Sequence, residues 1–347
     1  MNRTFYLSNS DFDQFLAVLS SGYQVYVPVQ KDKQRFYKKF TPGEQVSVGE
    51  VRTFEPLKAF FTRAREVVAH NFDGNPPHSR QKPIAIIGAK ACDLKGFKIQ
   101  DYVFSGRNGK DTADPLYVSN RRNNLIISSD CTSCLETCFC MALGLMPYPQ
   151  EAFDINLSPL EKGFLVESLS PKGQSIIEKN LRFFKEALEE HFNQRKSMRA
   201  KTAAQVMENL KVNDIPDQGH FEGIIEKNFE SEIWKEEAKR CVECGCCTII
   251  CPTCHCFLLY DQKNETSMSR LRIWDSCMIK DYAQVAGGGN PRPKLWMRLR
   301  NRFEKKFDFF PKVAKVYACT GCGRCITGCP AKIDIRSVLR KLVNSHV

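Results

Sequence analysis

Hydrophobic positions recur along the chain first with a helical and then with a strand period. Phe12, Phe15, Leu16 and Leu19 share one helical face, with Asp11 placed as the N-cap and Gly22 as the stop. The alternation in YQVYVPV at 23–29 predicts a strand. After a turn at Pro56, the pattern over 55–72 predicts a second helix. PIAIIGA at 83–89 and LIISS at 125–129 are short unbroken apolar runs, as in strands buried on both faces of a parallel sheet. LKGFKIQDYVF at 94–104 supplies a helical crossover between them. FDINL at 153–157 and GFLVESL at 163–169 predict a strand pair around a turn at 161–163. The expected first domain, 1–172, is α/β with a largely parallel sheet.

The texture then changes. Residues 176–211 carry helical periodicity and much charge, with neither Pro nor Gly. A solvated connecting helix accounts for them, in a connector placed at 173–234. A loop follows at Pro216, Asp217 and Gly219. The remaining region, 235–347, holds twelve of the seventeen cysteines.

Composition narrows the class. Apolar residues are 42% and charged residues 26% of 347 positions, a globular balance that leaves room for two or three domains. No apolar run approaches the ~20 residues of a membrane span. The N-terminal segment has no apolar stretch of the secretory kind. A cytoplasmic, reducing setting is expected, in which an odd set of seventeen cysteines reads as metal-binding rather than disulfide-bonded.

Spacing selects the metal. CVECGCCTIICP places Cys241, Cys244, Cys247 and Cys251 before Pro252, and CTGCGRCITGCP places Cys319, Cys322, Cys325 and Cys329 before Pro330. Both follow C-x2-C-x2-C-x3-C-P. Three thiolates spaced by two residues wrap one iron–sulfide cube, and the fourth turns to the other cube. One [4Fe–4S] cluster is expected on Cys241, Cys244, Cys247 and Cys329. The other is expected on Cys319, Cys322, Cys325 and Cys251. Structural zinc takes four ligands in two short pairs, which two complete runs of four do not resemble. The expected C-terminal domain is a two-cluster ferredoxin-like α+β/helical unit with an insertion at 257–318. Cys246 reads as a bystander. Cys254, Cys256 and Cys277 read either as buried thiols near the clusters or as ligands of a further centre. The basic stretch RLRNRFEKK at 298–306 reads either as a solvated lid or as a docking face for an acidic partner.

Five more cysteines lie in the first domain: Cys92, Cys131, Cys134, Cys138 and Cys140. Cys92 directly follows one predicted buried strand and Cys131 the other. Ligands of open parallel sheets bind beyond the carboxyl ends of the strands. If the strands are neighbours, Cys92, Cys131, Cys138 and Cys140 meet in one crevice and hold a third [4Fe–4S] cluster, with Cys134 as the alternative ligand. Reduced buried thiols or a zinc site are the competing readings. The formal charge of +12 fits this inventory. Three four-thiolate centres at about −2 each would leave roughly +6. No nucleic-acid recognition motif accompanies the charge, so no nucleic-acid partner is expected.

EPLKAFF at 55–61, ACDLKGFKIQDYVF at 91–104, CTSCLETCFC at 131–140, CVECGCCTIICPTCHCF at 241–257, RIWDSC at 272–277, GGGNPR at 287–292 and CTGCGRCITGCP at 319–330 occur together. In this combination the chain resembles the iron–sulfur beta subunit of cytoplasmic sulfhydrogenases, the A subunit of anaerobic sulfite reductase, and the flavin oxidoreductases that feed heterodisulfide-reductase-like complexes. The resemblance runs nearly end to end. It departs at Cys134, where a non-cysteine residue is expected, and at GAKACD, which replaces a basic-Pro-Cys turn. It implies an electron-transfer subunit between an NAD(P)H-oxidising flavin subunit and a catalytic partner, with FAD in the partner rather than in this chain.

The residues themselves agree. There is no G-x-G-x-x-G fingerprint and no P-loop. GGGN at 287–290 follows no predicted strand, and His255 reads as structural. The alternative is a reductase in its own right, with a flavin or a small reducible substrate in the first-domain crevice. A redox-sensing regulator would need a DNA-binding module, and no helix-turn-helix pattern is present.

Overall fold

The computed structural model describes residues 4–71, 82–106, 113–263, 265 and 267–345. The first region is built on eight strands: β1 (Thr4–Ser8), β2 (Gln24–Lys31), β3 (Gln34–Lys39), β5 (Ile84–Ala89), β6 (Leu125–Ser129), β7 (Ile155–Leu160), β8 (Gly163–Ser168) and β9 (Lys185–Glu186). They lie in the order β3-β2-β5-β6-β7-β8-β1-β9. The four central strands, β2, β5, β6 and β7, pair in parallel. The outer strands pair antiparallel. The expected parallel sheet is thus the centre of a mixed α/β sheet.

Alternate residues of the buried strands face opposite cores. Ala85, Ile87, Leu125 and Ile127 pack with Phe12, Phe15, Leu16 and Leu19 of the first helix, α1 (Asn9–Gly22). Ile86 and Ile126 pack on the other face with Leu94 and Phe97 of α2 (Ala91–Phe104) and Tyr117 of α3 (Pro115–Asn123). The N-cap of α1 is Ser8, not Asp11: Ser8 Oγ accepts from the Asp11 amide at 3.1 Å. The preceding strand β1 was not evident from the pattern.

The helix expected over 55–72 is not formed in the described part, 55–71. Only Leu57–Phe60 takes a single 3-10 turn, and Arg65–His70 is strand β4. The β-branched pair Val67–Val68 suits a strand. The backbone of β4 is taken up by β11 (Met268–Trp274), with Ser269 opposite His70 and Ile273 opposite Arg65. With β10 (Phe257–Lys263), these strands form a second sheet, ordered β10-β11-β4. Tertiary pairing therefore overrides the local helical pattern. The charged segment is also not one helix: α4 (Pro171–Glu178) ends before α5 (Glu189–Val212).

The C-terminal region is mainly short helices around Trp234, Leu299, Phe303, Phe307, Val338 and Leu342. Phe139, Ala142 and Leu143, from the first-region cysteine segment and its sequel, are buried in this same core. Arg52 donates to the Cys322 carbonyl, Gln100 Nε2 to the Pro252 carbonyl at 2.9 Å, and Arg336 to the Glu136 carbonyl at 2.8 Å. The cysteine-bearing loops of the two regions are therefore packed directly together.

Candidate iron–sulfur sites

Cys241, Cys244 and Cys247 line one cavity together with Cys329, which reaches it from the distal motif. Cys251 does not belong to that wall. Its thiol is buried 3.1 Å from Thr253 Oγ1 and 3.3 Å from the Lys306 ammonium. Both of these groups donate to the carbonyl of Ala318, the residue before Cys319, at 2.7 and 2.9 Å. Cys329 thus shares the cavity of the proximal motif, and Cys251 lies beside the start of the distal motif. Cys325 also lines the first cavity, and Cys246 does not.

A second cavity opens at the carboxyl edge of the large sheet. β5 and β6 are parallel neighbours, with Ala85 opposite Leu125 and Ala89 opposite Ser128. Cys92, on the first turn of α2, and Cys131, just beyond β6, consequently face one space. Cys134, Cys138 and Cys140 complete its wall. Cys322 joins them from the distal motif, which spacing gave no reason to expect. Cys134 is half-buried, with Asn209 Nδ2 3.5 Å from its sulfur.

One face of the helix α5 supports this site while the rest stands in solvent. Arg199 holds the fully buried Asp130, the residue before Cys131, at 2.7 and 3.2 Å. Val206 lines the cavity. The connecting helix is largely exposed, and Arg199, Val206 and Asn209 tie one of its faces to the site.

Gly321 and Gly323 have φ of +63° and +69°, the left-handed region that disfavours other residues. A Cβ on Gly321 would stand 2.5 Å from the Cys140 backbone, and one on Gly323 would stand 2.2 Å from the Thr137 carbonyl oxygen. These glycines let the distal motif lie flat against the first-region cysteine segment.

Thiols are the ionisable groups that ring both cavities, apart from Arg52 and Arg302, with no carboxylate or imidazole in either wall. Among the described residues, no three His, Cys, Asp or Glu side chains close on a point as a lone metal ion requires. Thiols spread around a void are the donor set that a polynuclear iron–sulfide core takes. Burial pushes the Cys131 and Cys325 thiols up to about 11 and the Cys319 thiol up to about 12. Dry thiols of this kind ionise when a cation binds them directly.

The basic stretch at 298–306 is turned inward. Arg298, Arg302 and Lys306 are buried, on a helix (Leu295–Glu304) that continues into a π turn (Lys305–Phe309). This removes them from any docking face. Burial opposes the charge of Lys306, but Cys251, Cys254 and Cys319 outweigh it and hold the ammonium well above its ordinary value. Its Nζ lies 3.3 Å from Cys251 Sγ, 3.6 Å from Cys254 Sγ and 2.9 Å from the Ala318 carbonyl. Arg302 is likewise raised against burial by Cys247 and Cys325. Lys90, buried beside Cys131 and Cys92, falls to about 8 because desolvation dominates. Cys277 is buried, Cys254 and Cys256 are half-buried, and the lysine Lys58 donates to the Cys254 carbonyl at 2.8 Å.

Residues 240–333, which contain both C-terminal motifs, match the 4Fe-4S dicluster domain family. Fold, thiol sites and this match define an electron-transfer iron–sulfur protein that carries [4Fe–4S] clusters. Over 343 residues, the chain is 32% identical to the sulfhydrogenase 2 subunit beta of Pyrococcus furiosus, covering 96% of each protein. The chain belongs to the sulfhydrogenase beta-subunit family of iron–sulfur proteins, the electron-transfer subunits of oxidoreductase complexes. Among the described residues, no helix is long and apolar enough to cross a membrane.

Proposed function

We propose that this chain is a cytoplasmic relay between an NAD(P)H-oxidising flavin subunit, which holds the FAD, and a catalytic redox subunit. Three [4Fe–4S] clusters supply its one-electron chemistry. Cys92, Cys131, Cys138 and Cys140 would hold one, with Cys134 as the alternative ligand. Cys319, Cys322, Cys325 and Cys251 would hold the next, and Cys241, Cys244, Cys247 and Cys329 the last. One observation carries this reading: Cys322 lines the first-region cavity while Cys325, three residues on, lines the proximal-motif cavity. This supports the distal motif as the middle of a linear relay between the other two thiol sets. Anaerobic holoprotein should contain about twelve iron atoms per chain. A value near eight would remove the first-region centre.

A second reading has an observation of its own. A cavity of about 720 Å³ is lined by Arg35, Ser47, Glu50 and Thr132, the last adjacent to Cys131. This volume is of ligand size. A reductase that binds flavin or a small substrate there would release stoichiometric flavin on denaturation, or bleach its own centres on addition of substrate.

A further inference from the structure

Among all seventeen cysteines, Cys244 alone is exposed. Its surroundings differ from those of the other thiols. Val242, 64% exposed, lines the mouth of the same cavity. Ile279, 43% exposed, lies against the ligand loop, its Cδ1 3.7 Å from where a Cβ of Gly245 would stand. Val242 and Ile279 give this rim an apolar element beside the thiol site.

The rim is cationic. Lys239 and Arg240 precede Cys241, Lys280 follows Ile279, and Lys332 follows the lining residue Ala331. All four are exposed. Arg240 is committed to Glu237 at 2.8 Å. Lys239, Lys280 and Lys332 form no ion pair among the described residues, and Asp281 is the exposed carboxylate beside Lys280. Arg298, Arg302 and Lys306, turned inward, add nothing to this surface. An apolar element within a predominantly basic rim is the anatomy of a steered protein interface.

We infer that the surface around Cys244, formed by Val242, Ile279, Lys239, Lys280 and Lys332, docks an acidic redox protein whose own electron-carrying group lies at its contact face. This rests on the relay reading and places one of its two ports. The acidic character of the partner follows from the uncommitted lysines. The electron-carrying character follows from Cys244, the exposed thiol of the cavity that this surface borders.

Oxidised flavodoxin, an acidic flavoprotein, serves as the probe, titrated calorimetrically onto anaerobic holoprotein at low ionic strength. Binding should weaken as salt rises. The variant Lys239→Glu/Lys280→Glu/Lys332→Glu should weaken it about tenfold or more, and Val242→Asp should weaken it with less change in salt dependence. Lys31→Glu/Lys33→Glu, on the distant β2–β3 hairpin, should leave it unchanged. Unaltered binding by the triple variant, equal weakening by the hairpin variant, or no binding by the wild type would each overturn the docking surface. Dithionite titration of the same samples separates this from the relay. Centres that accept electrons while flavodoxin binding is indifferent to the lysines refute the surface alone, whereas centres that accept none refute the relay.

Discussion

The guanidinium of Arg324 meets the carboxylate of Asp93 at 2.8 Å, with side-chain exposures of 0% and 1%. Arg324 lies between Cys322 and Cys325 of the distal motif, and Asp93 follows Cys92 on α2. The pair thus fastens the first-region thiol set to the ferredoxin-type loop without access to water. Arg324 Nε also donates to the Thr53 and Phe54 carbonyls at 3.1 Å. Removing one member of such a pair strands the other. Asp93→Asn should destabilise the fold by about 3–5 kcal/mol. Denaturant unfolding of the anaerobic protein checks this, and an unchanged midpoint would mean that the contact is not made in solution.

Gly321→Ala tests the contact between the two loops. Its Cβ would collide with the Cys140 backbone at 2.5 Å. The expected outcome is a changed paramagnetic signal from the first-region and distal-motif centres, with the proximal-motif signal retained. Loss of the proximal signal alone would contradict the packing described.

Cys251 belongs to the proximal run in sequence but lies beside the start of the distal motif, through Thr253 and Lys306. Cys251→Ser should therefore alter the resonance of the distal-motif centre. An effect confined to the centre on Cys241, Cys244 and Cys247 would reverse the assignment.

Lys306 places an ammonium 3.3 Å from the Cys251 sulfur in a site without solvent. A nearby positive charge favours the more negative, reduced state of whatever those thiolates hold. Lys306→Met should lower the potential of the distal-motif centre by about 60 mV, a tenfold change for a one-electron couple. Redox titration followed optically reads the shift, and no shift or a rise would contradict the role.

Much of this was legible in the sequence because it rests on short-range rules. The unbroken runs at 84–89 and 125–129 gave the two central strands, and the cysteines that follow each strand could be placed at one sheet edge. The 241–252 and 319–330 spacings were evident for the same reason. What was hidden depends on long-range pairing. Residues 65–70 carry a mixed local pattern, and β11, some two hundred positions later, decides their conformation. Cys322 entered the first-region cavity through a packing of loops that no spacing records. The inward cations had a signal that charge counting misses: Arg298, Arg302 and Lys306 recur every four residues, which places them on one helical face beside Phe303 and Phe307. A basic stretch with that period can serve a core of thiolates as readily as a surface.

The relay itself is tested most directly by optical spectra under anaerobic conditions, with NADH and NADPH added to the isolated holoprotein and then to the holoprotein with its flavin subunit. Alone, the chain should show negligible nucleotide oxidation and no bleaching. With the flavin subunit present, the iron–sulfur absorbance should bleach on addition of nucleotide. Rapid nucleotide oxidation by the isolated chain, with flavin bound to it, would contradict the relay and favour a reductase in the first-region cavity.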